Sequence, residues 1–298
     1  MDRAFESEGM HYEGNCIRPP SEANSILLQV TVGCSHNKCT FCGTYPDKRF
    51  RIKDDRIILS DILVAAKHMK KQDRVFLMDG DALIIPHKRL MWILDGIKEH
   101  LPWIRRVGAY ANTKSIKMKY PEELTELRGN GLGILYLGVE SGDEEIRKKT
   151  RKGASAQAVI TMGRKVKEAG MKLSVTVLLG VAGRKRSLEH ARATGELLSA
   201  MDPNYVGALT VMLIPGTPLY DDCRGGEFQL PDEKGLLLEL REMIVHTHLS
   251  RGLFLSNHAS NYLPVKARLP RGKQAALGQI DSALRGEISL KPEWMRAL

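Results

Sequence analysis

The chain has 298 residues, 43% of them apolar and 27% charged, with a mean hydropathy of −0.25; that length buries a full core without disulfide staples, and that composition excludes a disordered chain and a small disulfide scaffold. No apolar run approaches a bilayer span, and residues 1–8 carry acidic side chains where a secretory signal needs an apolar stretch, so a cytoplasmic protein with no membrane partner is expected. Lys and Arg outnumber Asp and Glu by 45 to 35, a net charge of +10, which suits nucleic acid, an anionic substrate or an acidic protein partner without choosing among them.

Residues 1–24 are polar, include Arg18-Pro19-Pro20 and read as a lead-in. Strand and helix signals then alternate. A β-rich run over 26–32 precedes a helical pattern over 58–71; a short buried strand over 74–78 precedes an amphipathic stretch over 87–100. A strand over 107–111 is followed by a helix over 121–129 with Pro121 at its start. A strand over 134–139 is followed by a helix over 155–169, with Ser155 as N-cap and Gly170 as its stop. Strands over 173–179 and 205–214 alternate with helices over 187–200 and 233–249. Six βα units at this spacing predict an α/β fold, a partial (βα)6 TIM-like barrel over 25–225, with the last helix and a C-terminal extension over 226–298 covering it. An open doubly wound sheet is the structural alternative, and in both folds ligands gather at the C-terminal ends of the strands.

Five cysteines are present, and Cys34, Cys39 and Cys42 fall within nine residues at the end of the first strand. Without a secretory leader, such a cluster indicates a metal or iron-sulfur site and not a disulfide framework. No second C-x-x-C completes a four-cysteine zinc site; His36 would serve as fourth ligand only in a cramped chelate beside Cys34. A [4Fe–4S] cubane fits three close thiolates and leaves one iron open. Cys16 and Cys223 stand apart and read as small buried hydrophobes.

The strand ends carry further polar residues. Asp79-Gly80-Asp81 follows the second strand, two carboxylates on one face of an extended chain with Gly80 permitting close backbone approach. The fourth strand ends Gly138-Val139-Glu140-Ser141-Gly142; period two puts Tyr136, Gly138 and Glu140 on one face, and Gly138 leaves room beside the carboxylate.

On Cys34, Cys39, Phe41 and Cys42 the chain resembles the radical S-adenosylmethionine (SAM) superfamily, whose usual signature is C-x3-C-x-aromatic-C; here the first spacer is one residue longer. The likeness runs from about Arg18 to Tyr220, with the motifs in the family's order, and is nearest the branch of oxygen-independent coproporphyrinogen oxidase and the Elongator catalytic subunit. It implies a [4Fe–4S] cluster on the three cysteines and SAM chelated to the open iron. Phe41, Asp79, Gly80, Asp81, Glu140, Ser141 and Lys152 are then the cofactor contacts: Asp79 to Asp81 at the SAM amino group, Glu140 at the ribose hydroxyls, Lys152 at the SAM carboxylate. The segment 178–183 matches the adenine-contact stretch, and 214–220 the Pro-Gly-Thr-Pro-Leu stretch. The implied activity is reductive cleavage of SAM and hydrogen abstraction from a polar or anionic substrate that the sequence does not identify.

Alternate polar positions Gln29 and Thr31, Ser174 and Thr176, and Thr210 and Met212 predict a polar lumen. The segment Asn257 to Asn261 either caps the barrel or forms a surface turn, and His246 and His248 read as structural. Lys38, Lys48, Arg49, Arg51 and Lys53, in or just after the cysteine loop, predict a cationic rim for a flavodoxin- or ferredoxin-type electron donor. Two other functions also suit the charge of +10 but are opposed on other grounds. An RNA-modifying enzyme is opposed by the 6% aromatic content, and a zinc-stapled basic nucleic-acid-binding protein needs the cramped His36 site.

Overall fold

The computed structural model describes residues 9–14 and 16–297; residues 1–8, on which the absence of a leader was argued, lie outside them. The chain forms two compact units: one comprises the chain up to Asn37, Thr44–Leu137 and Lys165–Lys172, the other Lys38–Gly43, Gly138–Arg164 and the chain from Leu173 onward.

The first unit holds strands β1 (Ile26–Gln29), β2 (Thr31–Val32), β3 (Arg51–Ile52), β4 (Arg74–Met78) and β5 (Arg106–Ala111), with β6 (Leu132–Glu140) as far as Leu137. β1, β4, β5 and β6 are neighbours in that order and pair in parallel, with Leu28 opposite Leu77 and Tyr110 opposite Tyr136. Helices Asp55–His68, His87–His100 and Pro121–Gly129 make the crossovers. Asp54 caps the first of these by accepting from the Arg56 amide, and Leu90, Ile93, Leu94 and Ile97 form the buried stripe of the second at the spacing of one helical face. Val75 to Met78 are fully buried, as a parallel strand covered on both faces requires.

The run expected as one strand over 26–32 divides at Val30. Only β1 joins the parallel sheet; Thr31 and Val32 pair antiparallel with β3, closing residues 33–50 into a loop anchored at both ends. Described residues of the lead-in also join the packed structure. Gln29 binds the backbone of Glu13, and Glu22 is fully buried, where it accepts from Ser25, Arg106 and Tyr136.

The second unit contains the end of β6, β7 (Lys172–Leu179), β8 (Tyr205–Thr210), β9 (Gly252–Leu255) and β10 (Lys266–Leu269). β7, β8 and β9 are parallel neighbours and β10 returns antiparallel, so the extension supplies two strands that periodicity did not reveal. Helices Ala156–Glu168, Ser187–Met201, Glu233–His246 and Lys273–Leu284 alternate with these strands. β8 stops at Thr210, short of the expected 214: the Thr210 hydroxyl donates to Asn261 at 2.8 Å, the Ser260 hydroxyl accepts its amide at 3.1 Å, and Asn261 reaches the Ala208 carbonyl. Ser260 and Asn261 are thereby buried fasteners of β8. Mostly parallel strands alternating with helices make this an α/β fold, as the sequence indicates.

Candidate functional site

In the first unit, the start of the cysteine loop rests on the end of β4. Gly80 donates its amide to the Gly33 carbonyl at 3.1 Å, and a Cβ on Gly80 would stand 2.6 Å from the Cys34 Cβ. Only glycine allows this approach. Gly33 itself has φ +79°, turning the chain out of β2 into the loop.

The two carboxylates that flank Gly80 do different work. Asp79 has φ +72°, so the extended alternation fails there and the pair does not share a face as the sequence suggested. Both Asp79 oxygens are occupied, one by Gln29 at 2.9 Å and the Gly33 amide at 3.2 Å, the other by the Tyr45 hydroxyl at 3.1 Å. Asp79 is a brace for the loop, and burial raises its pKa despite these donors. Asp81 is fully buried; its Oδ2 accepts from Ser35 at 2.6 Å and Asn112 at 2.7 Å, and its Oδ1 has no partner. Burial holds its pKa up to about 6 against the pull of Ser35, Ser115, Asn112 and Lys119. Asn112 is oriented by its own role as N-cap of the helix Thr113–Met118.

In the second unit, the remainder of the motif is held by backbone. The Thr40 amide donates to the Thr150 carbonyl and the Leu219 amide to the Thr40 carbonyl, at 3.1 and 3.0 Å. Phe41 packs on the apolar group of Ile146, Leu178 and Val181, with Ala182 and Leu209 beside it. Glu140 ends β6 at φ +64°, and its Oε1 accepts from Lys152 at 2.9 Å. A Cβ on Gly138 would fall 2.3 Å from that oxygen and 2.8 Å from the Lys152 Nζ, so the missing side chain does leave room for the carboxylate. Burial works against the Lys152 charge, but Glu140 and the Cys39 thiol outweigh it and raise its pKa. Cys39 acts likewise on Arg147, where burial still prevails. Ser141 turns inward, its hydroxyl 2.7 Å from His190. Thr40, Ile146, Val181, Ala182, Arg184 and Phe228 help bound a cavity of about 610 Å³ at the C-terminal end of β7.

All five cysteines are thiols; Cys34 and Cys39 are half-buried and Cys42 is exposed. Among the described residues, no group of three or more His, Cys, Asp or Glu converges as ligands of a single ion. Within the first unit, the glycine cradle under the Cys34 thiol and the unpartnered buried Asp81 oxygen fit an iron-sulfur group held at that sulfur and a ligand that brings an amine.

Several expectations change. Lys53 does not belong to the cationic rim: its ammonium is fully buried, donates to the His11 carbonyl and lies 3.6 Å from Asp61. Arg51 is exposed but paired with Glu13, while Lys38, Lys48 and Arg49 are exposed. The polar lumen is not supported at Gln29 or Thr210, which are buried and consumed by internal partners. Cys16 is half-buried and its thiol pKa is raised by burial and then by Asp79. Sequence reading missed Ser35, Tyr45, Asn112, Arg147, His190 and Glu239; Ser35 and Asn112 had a signal, one adjoining Cys34 and the other ending the third expected strand.

The family model described as the Radical SAM superfamily matches residues 28–198. A curated relative, 4'-phospho-dehydrooxetanocin synthase of Priestia megaterium, is 23% identical over 203 residues, 60% of this chain and 27% of that protein. Coproporphyrinogen III oxidase (HemN) from Escherichia coli is similar in structure with a TM-score of 0.53 and 14% identity, covering 74% of this chain and 51% of that one. The radical S-adenosylmethionine methyltransferase TsrM from Kitasatospora setae, with cobalamin and a [4Fe–4S] cluster bound, gives a TM-score of 0.54 at 18% identity over 67% of this chain and 40% of that one. These likenesses show a shared fold, and the chain spans only part of each relative.

Proposed function

The chain belongs to the radical SAM superfamily, whose enzymes use a [4Fe–4S] cluster and SAM, and from that premise we propose that it cleaves SAM reductively and abstracts hydrogen from a polar or anionic substrate. Asp81 carries the reading. A fully buried carboxylate with one oxygen tied to Ser35 and Asn112 and the other without a partner is costly unless a donor completes it, and the ammonium of SAM is such a donor.

Cys34, Cys39 and Cys42 would hold the cluster. When bound there, the cluster would supply the one-electron reduction by which SAM is cleaved. The residues of this chain position and shield. Asp81 orients the amino group, Glu140 accepts from the ribose hydroxyls, and Lys152, already beside Cys39 and Glu140, offers its remaining donors to the SAM carboxylate. Phe41, Ile146 and Val181 give the adenine an apolar surface, and the cavity bounded by Thr40, Ile146 and Val181 falls in the size range of small-ligand sites.

The net charge of +10 favours an anionic substrate, and the phospho group in the name of the Priestia megaterium relative agrees with that class. An acidic flavodoxin- or ferredoxin-type protein is the matching electron donor. Anaerobic reconstitution with iron and sulfide tests the whole reading. A brown protein with near four iron per chain that releases 5′-deoxyadenosine from SAM under dithionite is expected; a colourless protein that takes one zinc instead would overturn it.

A further inference from the structure

His190 and Glu239 are both fully buried, and the chemistry above uses neither. Their rings and oxygens meet at the back of the turn that carries Glu140. We propose that His190, held by Glu239, is a positioning residue that fixes the Glu140–Ser141–Gly142 turn so that Glu140 meets the ribose of SAM; this rests on the ribose assignment of Glu140 made above.

The hydrogen bonds define the protonation. His190 Nε2 lies 3.1 Å from the Leu178 carbonyl, which only accepts, so Nε2 carries the proton. The same edge stands 3.4 Å from Glu239 Oε1. Nδ1 is then the acceptor and takes the Ser141 hydroxyl at 2.7 Å. Burial favours this neutral imidazole, holding its pKa down to about 4. Glu239 is fixed in turn by the Gly180 amide at 2.6 Å and by the Ser187 hydroxyl.

The turn has no slack elsewhere. The Gly142 amide donates to Thr194 at 2.9 Å, one helical turn beyond His190, and a Cβ on Gly142 would fall 2.2 Å from the Ala193 carbonyl. Ser141 Oγ accepts from the Asp143 amide at 3.0 Å, and Arg147 binds the carbonyls of Val139 and Ser141 at 2.8 and 2.7 Å. This scaffold is what a non-glycine residue at φ +64° requires, because Glu140 would otherwise relax out of the left-handed region. The helix Ser187–Met201 thus sets the direction of the Glu140 carboxylate through His190 and Thr194.

The test is calorimetric titration of the anaerobically reconstituted protein with SAM and with its 2′-deoxy analogue. Ser141→Ala and His190→Leu should each weaken SAM binding by about tenfold, the scale of a hydrogen bond to a charged group, and barely alter binding of the analogue. His190→Asn, which keeps an acceptor near the Nδ1 position, should restore most of the loss. Each effect should shrink in a Glu140→Gln background, since both act through one carboxylate. Ser141→Ala removes a single oxygen and decides the matter even if His190→Leu does not fold. Wild-type affinity in Ser141→Ala together with a loss in Glu140→Gln would overturn the positioning role alone. Unchanged affinity in Glu140→Gln would overturn the ribose assignment and this inference with it.

Discussion

Gly80 lies so close to Cys34 that a Cβ placed on it would sit 2.6 Å from the Cys34 Cβ and 3.0 Å from its sulfur. The backbone beyond β4 therefore forms the floor under the first cysteine, and the cysteine loop cannot take its place if that floor is raised. Gly80→Ala should displace Cys34 and lower iron incorporation to well under half of wild type, with a stability loss of about 1–3 kcal/mol typical of overpacking. Gly278→Ala, where a Cβ meets nothing within 4 Å, is the control and should retain full iron content. Iron and sulfide analysis after reconstitution, with thermal melts of both variants, checks this; full iron in Gly80→Ala would remove the significance of the contact.

The ligand assignment makes a separate prediction. Cys34→Ala, Cys39→Ala and Cys42→Ala should each lose the cluster's visible absorbance, whereas Cys16→Ala and Cys223→Ala should keep near four iron per chain. Cys16 is the sharper control, because it stands close enough to Asp79 for that carboxylate to raise its thiol pKa. Iron loss in Cys16→Ala would bring that residue into the cluster's surroundings.

Asp81 links function to pH through an unfavourable charge. Its pKa rises from 3.8 unfolded to about 6 folded because of burial. The folded state therefore binds the proton more tightly, and stability falls as pH rises from about 4 to about 6, by about 3 kcal/mol when the shift is complete. Above that window the cofactor-free protein carries the full cost. Asp81→Asn should raise the melting temperature of the cofactor-free protein at pH 7 to 8, flatten its dependence between pH 4 and 6, and weaken SAM binding at least tenfold. Glu239, pushed by burial from 4.5 to about 7, contributes a slope of the same sign, so the difference between variant and wild type isolates Asp81. A variant no more stable than wild type at pH 8 would contradict the buried-charge account.

The sequence revealed what depends on spacing along the chain. The alternation of strands and helices and the room Gly138 leaves for Glu140 are local patterns, and each has its counterpart in the structure. What it concealed depends on backbone conformation or on pairs distant in sequence. Asp79 and Asp81 look equivalent in one dimension; φ +72° at Asp79 sends one carboxylate to Gln29 and Tyr45 and leaves the other with an open oxygen. Lys53 reads as one more cation in a basic stretch, and only the fold shows it buried against Asp61. His190 and Glu239 are 49 residues apart and sit on amphipathic helices where either would pass as a polar interruption. β9 and β10 are four residues each, too short for periodicity to separate from turn.

Burial of Lys53 and pairing of Arg51 with Glu13 narrow the surface that would receive an electron donor. Of the cations within the β2–β3 loop of the first unit, Lys48 and Arg49 remain exposed, with Lys38 exposed in the motif itself. An acidic donor protein would be steered by these charges, and such steering weakens as the Debye length falls from about 10 Å at 0.1 M salt to about 3 Å at 1 M. A Lys48→Glu, Arg49→Glu double variant should therefore cleave SAM about tenfold more slowly with reduced flavodoxin at low salt. It should match wild type at high salt, where wild type itself has slowed, and at every salt concentration with dithionite, which needs no docking face. Lys53→Met is excluded from the set because it would leave Asp61 buried without its cation and measure folding instead. Equal flavodoxin-driven rates for variant and wild type at low salt would place the docking surface elsewhere on the chain.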